Sequence, residues 1–281
     1  MNDAVGHRLA AVLERLGATG PAEPLGGGTN ASTWLVDGLV VRLLAAGSIH
    51  DPGREASPAA LADVARRAAA SGASPQVVAY LDEHAALVLE HAPGHSLTDA
   101  SLADPSVLGR AGAAVRSLHS GALTGRSLDM QGFLTQYARA PLLPAGWTEA
   151  LPRVRGMVDS LAGGQRVLCH GDLVAANLVD DGDRVWLIDV DDAVDADPAY
   201  DLGGLWVQAG LTLGHLDVLL DAYGGGADRE RVLRWALVVA FTWTAWSRLR
   251  VQQTVPTGYD PLEFGDRMWA YARNRLTDPS A

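Results

Sequence analysis

His170, Gly171, Asp172, Asn177 and Asp189 form the pattern HGD-x4-N-x11-D inside the stretch VLCHGDLVAANLVDDGDRVWLIDVDDAVDADPAYDLGG, which begins at Val167. A carboxylate, an amide and a second carboxylate make an oxygen donor set. Such a set suits Mg²⁺, a hard cation that takes one or two protein oxygens plus waters and phosphates. From Asp172 to Asp201 the chain holds ten aspartates, threaded with strand-forming apolar residues. That density of charge beside core-like sequence calls for a positive counterpart, whether a metal, a cationic ligand or both. Some of these residues have plainer readings. Asp180, Asp181 and Asp183 are turn formers, and a lone histidine such as His170 is more often a hydrogen-bonded core residue than a ligand.

For the pattern to act, the chain must fold it back on itself. Asn177–Asp180 and Arg184–Asp189 read as strands joined at Asp181-Gly182, which brings the loop 170–176 beside the residues leaving Asp189. Upstream, TWLV (33–36) and LVVRLL (39–44) read as strands around an Asp37-Gly38 hairpin turn. Ser57 is an N-cap, Pro58 the first helical residue and Gly72 the stop of the next helix. QVVAYLDEHAALVLEHAPG adds two strands around residues 82–84 and breaks at Pro93-Gly94. Four or five strands and one helix thus fill the first ninety residues or so, after an amphipathic N-terminal helix. Helices dominate the remainder. The layout predicts an α+β fold with a small β-rich N-terminal lobe (1–92) and a larger α-helical C-terminal lobe (93–281).

Composition narrows the function. The chain has 281 residues, 48% of them hydrophobic, with a net charge of −11, which argues against nonspecific nucleic-acid binding. No apolar run is long enough for a membrane span. Every one of the 22 basic residues is arginine, so the P-loop lysine and all Schiff-base chemistry are excluded. Cys169 is the single cysteine, and the start does not read as a secretory signal, so a reducing cytoplasm is expected. LIDVDDAV also fits the strand-then-DxD pattern of haloacid-dehalogenase-type phosphatases, but the parallel strands which that fold needs downstream are not predicted. An EF-hand fails for want of a glycine at loop position six. GGGTNA (26–31) matches a weak dinucleotide fingerprint, G-x-G-x-x-A, in the wrong strand–helix context. Between strands, a glycine loop can instead lay backbone N–H groups over a phosphate chain.

Taken together, HGDLVAAN, LID, DPAYDLG and LGGGTN resemble the aminoglycoside phosphotransferase and choline kinase superfamily, relatives of protein kinases. The resemblance spans nearly the whole chain and is closest to choline-kinase-like members. It implies a bilobal protein-kinase-like fold and ATP- and Mg²⁺-dependent transfer of a phosphoryl group to a hydroxyl. Asp172 would position and deprotonate that hydroxyl, Asn177 and Asp189 would hold Mg²⁺, and His170 and Asp201 would brace the loop. Gly27, Gly28, Thr29 and Asn30 would line the nucleotide, Arg42 would contact its phosphates with Glu55 as partner, and Glu90, His91 and Ala92 would meet adenine. FTWTAWSRL resembles the C-terminal helix of choline kinases, with Trp243 and Trp246 as a wall for a charged amine and Trp235 left to the core. Where those sequences carry Glu-Tyr, this chain has Asp191-Asp192, and Gln208 stands where an acid is common. The acceptor site therefore reads as rebuilt with carboxylates. A polycationic antibiotic, an aminoglycoside or a basic cyclic peptide of the viomycin and capreomycin type, is the expected acceptor, and its phosphorylation would confer resistance. Choline, ethanolamine or an amino sugar is the alternative, and a catalytically inactive kinase-like binding module is the reading from another class. A homodimer stays open.

Overall fold

The structure, a computed structural model, describes residues 3–25, 31–44, 56–251 and 260–277. The chain opens with α1 (Asp3–Leu16), then β1 (Glu23–Leu25), β2 (Ala31–Val36) and β3 (Leu39–Leu44). Asp37 and Gly38 both take positive φ, 50° and 77°, the geometry that a two-residue hairpin turn demands. Helix α2 (Pro58–Ala70) starts as its sequence predicts, with the Ser57 hydroxyl accepting the Ala60 amide at 3.2 Å. It ends before Gly72, whose φ is +80°. β4 (Val77–Leu81) and β5 (Ala86–Glu90) complete an antiparallel five-stranded sheet in the order β1-β2-β3-β5-β4.

Side chains alternate across this sheet. Val41 and Leu43 join Leu9 and Val12 of α1 in a small core on one face. Arg42 and Leu44 point to the other, where Leu44 and Leu87 meet the large core. Arg8 fastens α1 by donating to the carbonyls of His84 and Leu44, at 2.7 and 3.1 Å.

After the turn at Pro93-Gly94 come β6 (His95–Ser96), α3 (Pro105–His119), α4 (Met130–Tyr137), α5 (Trp147–Leu161) and β7 (Val167–Cys169). β8 (Leu178–Asp180) and β9 (Val185–Leu187) follow, then β10 (Val194–Ala196), α6 (Pro198–Gln208), α7 (Leu213–Tyr223), α8 (Arg229–Arg250) and α9 (Pro261–Thr277). The fold is therefore mixed, sheet first and helices after. α8 is the spine of the helical part, packed against α6, α9, α4 and α5. Trp147 stacks on its Phe241 with ring centroids 4.3 Å apart. Among the described residues no helix is long and apolar enough to cross a membrane.

Two expectations need correction. The acidic hairpin is shorter than predicted: Asn177 lies in a 3-10 turn, and Asp189 leaves the strand with φ 59°, ψ 54°. The stretch after Asp189 is also not simply helical. It makes one 3-10 turn (Val190–Asp192) and then β10, which pairs antiparallel with β7. The expected turn at Asp181-Gly182 is present, and the Asp181 carboxylate accepts the amides of Asp183 and Arg184.

Candidate active site

β7 ends at Cys169, and the next two residues turn the chain out of the sheet. Gly171 has φ +86°, and a Cβ there would lie 2.1 Å from the Asp192 carbonyl oxygen. Only glycine lets the two backbones touch. The amides of His170 and Gly171 both donate to Asp201, at 2.6 and 3.1 Å. Asp201 is buried near the start of α6, a helix capped by Asp197 through the Ala199 amide. His119 adds a third contact, its Nε2 3.1 Å from Asp201, and its Nδ1 meets the Tyr223 hydroxyl at 3.0 Å. Burial by itself would raise the Asp201 pKa. The hydrogen bond and charge of His119 and the backbone amide of His170 outweigh it, and hold the carboxyl below its ordinary value.

His170 is fully buried and acts as a strut. Its Nε2 lies 2.8 Å from the Ile188 carbonyl, which requires a proton on that nitrogen and leaves Nδ1 to accept from the Asp172 amide at 3.4 Å. The ring thus links the loop to the end of β9. Asn177 makes a second link: its Nδ2 donates to the Asp172 carbonyl at 2.9 Å, while its own carbonyl accepts the Ile188 amide at 2.9 Å. With Leu178 opposite Leu187 in the ladder, these contacts draw Asp172, Asn177 and Asp189 into one corner, as the spacing predicts.

The corner fits Mg²⁺ by its donor chemistry. Asn177 has spent its amide nitrogen, which leaves Oδ1 for a cation, and Asp189 has Oδ2 beyond the oxygen bound by Arg42. Asp189 is held in the left-handed region, uncommon for a residue with a Cβ, and its side chain is 39% exposed. A second cluster, His119, Cys169 and Asp201, brings potential ligand atoms within 4.8 Å of one another. It reads as a hydrogen-bond network, since both His119 nitrogens are engaged and the Cys169 thiol donates to the Asp197 carbonyl. Burial pushes that thiol well above its ordinary pKa.

Arg42 reaches this corner from β3. Its guanidinium grips both oxygens of Asp191 at 2.9 Å and Oδ1 of Asp189 at 2.7 Å. Burial opposes the positive charge, but the two carboxylates outweigh it and hold Arg42 protonated. Burial also holds the Asp191 carboxyl above its ordinary value, even with Arg42 beside it. One sequence expectation changes here: Asp191 is a buried ion-pair member rather than an open acceptor-side carboxylate. Among the described residues, the partners of Arg42 are Asp189 and Asp191. Glu55, the expected partner, lies outside the described residues, as do Gly27, Gly28, Thr29 and Asn30.

The amides of Glu90 and His91 are spent on the carbonyls of Gln76 and Gly38. Ala92, the next residue, is buried.

A model of the phosphotransferase enzyme family, APH, matches residues 21–235. The chain belongs to that family. As a phosphotransferase it has the fold of solved small-molecule kinases. A choline/ethanolamine kinase family protein from Mesorhizobium loti is 26% identical, with a TM-score of 0.81 over 99% of this chain and 95% of that one. The choline kinase LicA from Streptococcus pneumoniae is 17% identical, with a TM-score of 0.78 over 97% and 99%. Aminoglycoside phosphotransferase APH(3'')-Id from Streptomyces rimosus is 22% identical, with a TM-score of 0.60 over 86% and 99%. No match is found among curated proteins.

Two adjoining hollows of this phosphotransferase share Tyr200 and Trp243, and one of them reaches Gly171. The larger, about 330 Å³ including its mouth, is walled by Met130, Phe133, Tyr137, Tyr200, Thr242 and Trp243. The smaller, about 180 Å³, shares Tyr200 and Trp243 and runs to Gly171, Asp201 and Gln208. Tyr200 donates its hydroxyl to the Gly171 carbonyl at 3.1 Å, so the aromatic wall is tied directly to the loop. Trp243 and Gln208 are thus brought to the hollow. Trp246 is not: it packs edge-on against Trp243 at 4.6 Å, with Arg250 over its ring. Trp235 is core, its indole N–H on Asp197. Asp192 is half-buried beside Gly171. Met130, Phe133, Tyr137 and Tyr200 were not legible as site residues, because apolar positions on α4 and α6 carry the same periodicity as core.

Proposed function

We propose that this phosphotransferase moves the γ-phosphoryl group of ATP to the hydroxyl of a compact cationic alcohol of the choline or ethanolamine class. Residues 1–92 would form the nucleotide lobe and 93–281 the catalytic and acceptor lobe, working in the cytoplasm. Phosphoryl transfer relies on positioning and charge neutralisation rather than on covalent catalysis. Asp172, steadied by the His170 strut and the Asp201 brace, orients the acceptor hydroxyl and takes its proton. Arg42 would meet the phosphates, and Asn177 and Asp189 would hold Mg²⁺. When bound, that ion neutralises charge on the phosphate oxygens.

The observation that carries the choice of acceptor is the aromatic hollow tied to the catalytic loop through Tyr200. Phe133, Tyr137, Tyr200 and Trp243 line it, and aromatic faces attract alkylammonium groups. Several carboxylates of the acidic stretch are engaged within the protein. Asp191 is bound to Arg42, and Asp195 accepts from Thr124 and Gly125. Asp197 pairs with Arg231 and Asp180 with Arg110. The net charge of −11 still favours attraction of a polycation, so the aminoglycoside and cyclic-peptide antibiotics form the second reading.

ADP release across choline, ethanolamine, amino sugars and both antibiotic types, with mass spectrometry of each product, separates the two. Phosphorylated choline or ethanolamine supports the first reading; an antibiotic adduct with neither amino alcohol modified overturns it. A thermal shift with Mg²⁺ and ATP comes first, because a kinase-like binding module without nucleotide would show none.

A further inference from the structure

Arg42 stands on β3, one sheet away from the catalytic loop, and long side chains in such positions need an anchor. In protein-kinase-like folds the expected anchor is a glutamate near the following helix, here Glu55. Glu55 lies outside the described residues, and among those described Asp191 provides an anchor. Asp191 lies 149 residues from Arg42 in sequence, yet its two carboxylate oxygens meet NH1 and NH2 of the guanidinium at 2.9 Å each. This two-pronged geometry fixes the plane of the guanidinium as well as its position. Both partners are buried, at 7% and 9% exposure, so the pair is shielded from the screening that weakens surface ion pairs.

The anchor is itself held in place. Asp191 belongs to the 3-10 turn Val190–Asp192, against which α2 packs. Its backbone carbonyl accepts from Arg126 at 3.0 Å. Only Val190 separates it from Asp189, whose Oδ1 lies 2.7 Å from the same guanidinium. One arginine therefore joins the sheet to the turn that carries the metal-type carboxylate.

We infer that Asp191 is the positioning residue for Arg42, so that the phosphate-contacting cation is set by the turn that also carries Asp189. The inference rests on the kinase reading above for what Arg42 contacts. Its consequence is specific. Loss of Asp191 releases the guanidinium from its fixed plane and weakens nucleotide binding through Arg42, including binding without Mg²⁺.

The test is calorimetric titration of ADP into the full chain, with EDTA and separately with Mg²⁺, for wild type, Asp191→Asn, Asp191→Glu, Arg42→Met and the Arg42→Met/Asp191→Asn double variant. Asp191→Asn should raise Kd by about 10- to 100-fold in both buffers, the range for residues that orient a binding group. The double variant should be no weaker than Arg42→Met alone, because an anchor has nothing to hold once the arginine is gone. Asp191→Glu, which keeps the charge, should recover part of the affinity. Far-ultraviolet circular dichroism and a cooperative melt accompany each variant. If an Asp191→Asn variant folds poorly, the comparison of Arg42→Met with its double variant still decides the question. Additive losses in the double variant, or unchanged ADP affinity in a folded Asp191→Asn variant, would overturn the inference. Failure of the wild type to bind ADP would instead overturn the kinase reading on which it stands.

Discussion

Replacing Asp201 by asparagine keeps the side-chain volume but converts one of two acceptor oxygens into a donor. In the structure Oδ2 accepts from the His170 amide at 2.6 Å and sits 3.1 Å from His119 Nε2, while Oδ1 accepts from the Gly171 amide at 3.1 Å. The best orientation of the new amide puts its oxygen at the Oδ2 position and keeps two contacts. Its NH₂ then faces the Gly171 N–H, donor against donor, in a fully buried site. An unsatisfied buried donor and two bonds reduced from charge-assisted to neutral together cost about 2–4 kcal/mol. Denaturant unfolding at neutral pH reads this directly. The acid limb gives an independent check. Asp201 titrates below its ordinary value when folded, so its stabilisation is complete above the unfolded carboxylate pKa of about 3.9. It disappears as pH falls through the lower folded value. The gap between wild type and Asp201→Asn should therefore be constant from neutral pH to about 5 and narrow below about 4. Turnover should fall as well, since the two amides orient the loop that carries Asp172. A variant within about 0.5 kcal/mol of wild type, with normal turnover, would refute the idea that Asp201 braces the loop.

Gly171→Ala should destabilise by about 2–4 kcal/mol, since its Cβ meets a positive φ and a backbone oxygen that cannot move freely; equilibrium unfolding checks it. Trp243→Leu should raise the acceptor KM about tenfold through loss of the aromatic wall, with the ATP KM unchanged. Trp246→Leu, whose ring packs on Trp243 and Arg250 outside the hollow, should lower the melting temperature while keeping the acceptor KM within about twofold. Steady-state kinetics with the best acceptor distinguishes those two outcomes, and equal KM effects would reassign Trp246 to the wall.

What the sequence made legible was local. Asp37-Gly38 announces its hairpin because two positive φ angles in a row leave few residue choices. Ser57-Pro58 announces the start of α2 because capping and a fixed φ act within one turn. The loop motif is readable because His170, Asp172, Asn177 and Asp189 keep a spacing that a short hairpin folds together. What stayed hidden was long-range or masked by core. The Arg42–Asp191 pair joins residues 149 apart, and nothing near either one signals the other. Asp195 and Asp197 look like ligands for a cation until the fold supplies Thr124, Gly125 and Arg231 as their partners. β10 is three residues long and sits among aspartates, so its apolar pattern is too short to declare a strand. The walls Phe133 and Tyr137 share a helical apolar stripe with true core residues such as Leu134, and only the position of α8 decides which of them face a hollow.

The central claim is that Asp172, Asn177 and Asp189 carry out Mg²⁺-dependent phosphoryl transfer to a compact cationic alcohol. Incubation of wild type and Asp172→Asn with γ-labelled ATP, Mg²⁺ and choline or ethanolamine, followed by mass spectrometry of the acceptor, tests it most directly. The account predicts a labelled phosphate monoester on the acceptor hydroxyl with wild type, its loss on chelation of Mg²⁺, and at least a hundredfold lower yield with Asp172→Asn, as expected when a positioned catalytic base is removed. Equal label transfer by Asp172→Asn, or no labelled amino alcohol under conditions where ATP binds, would contradict it.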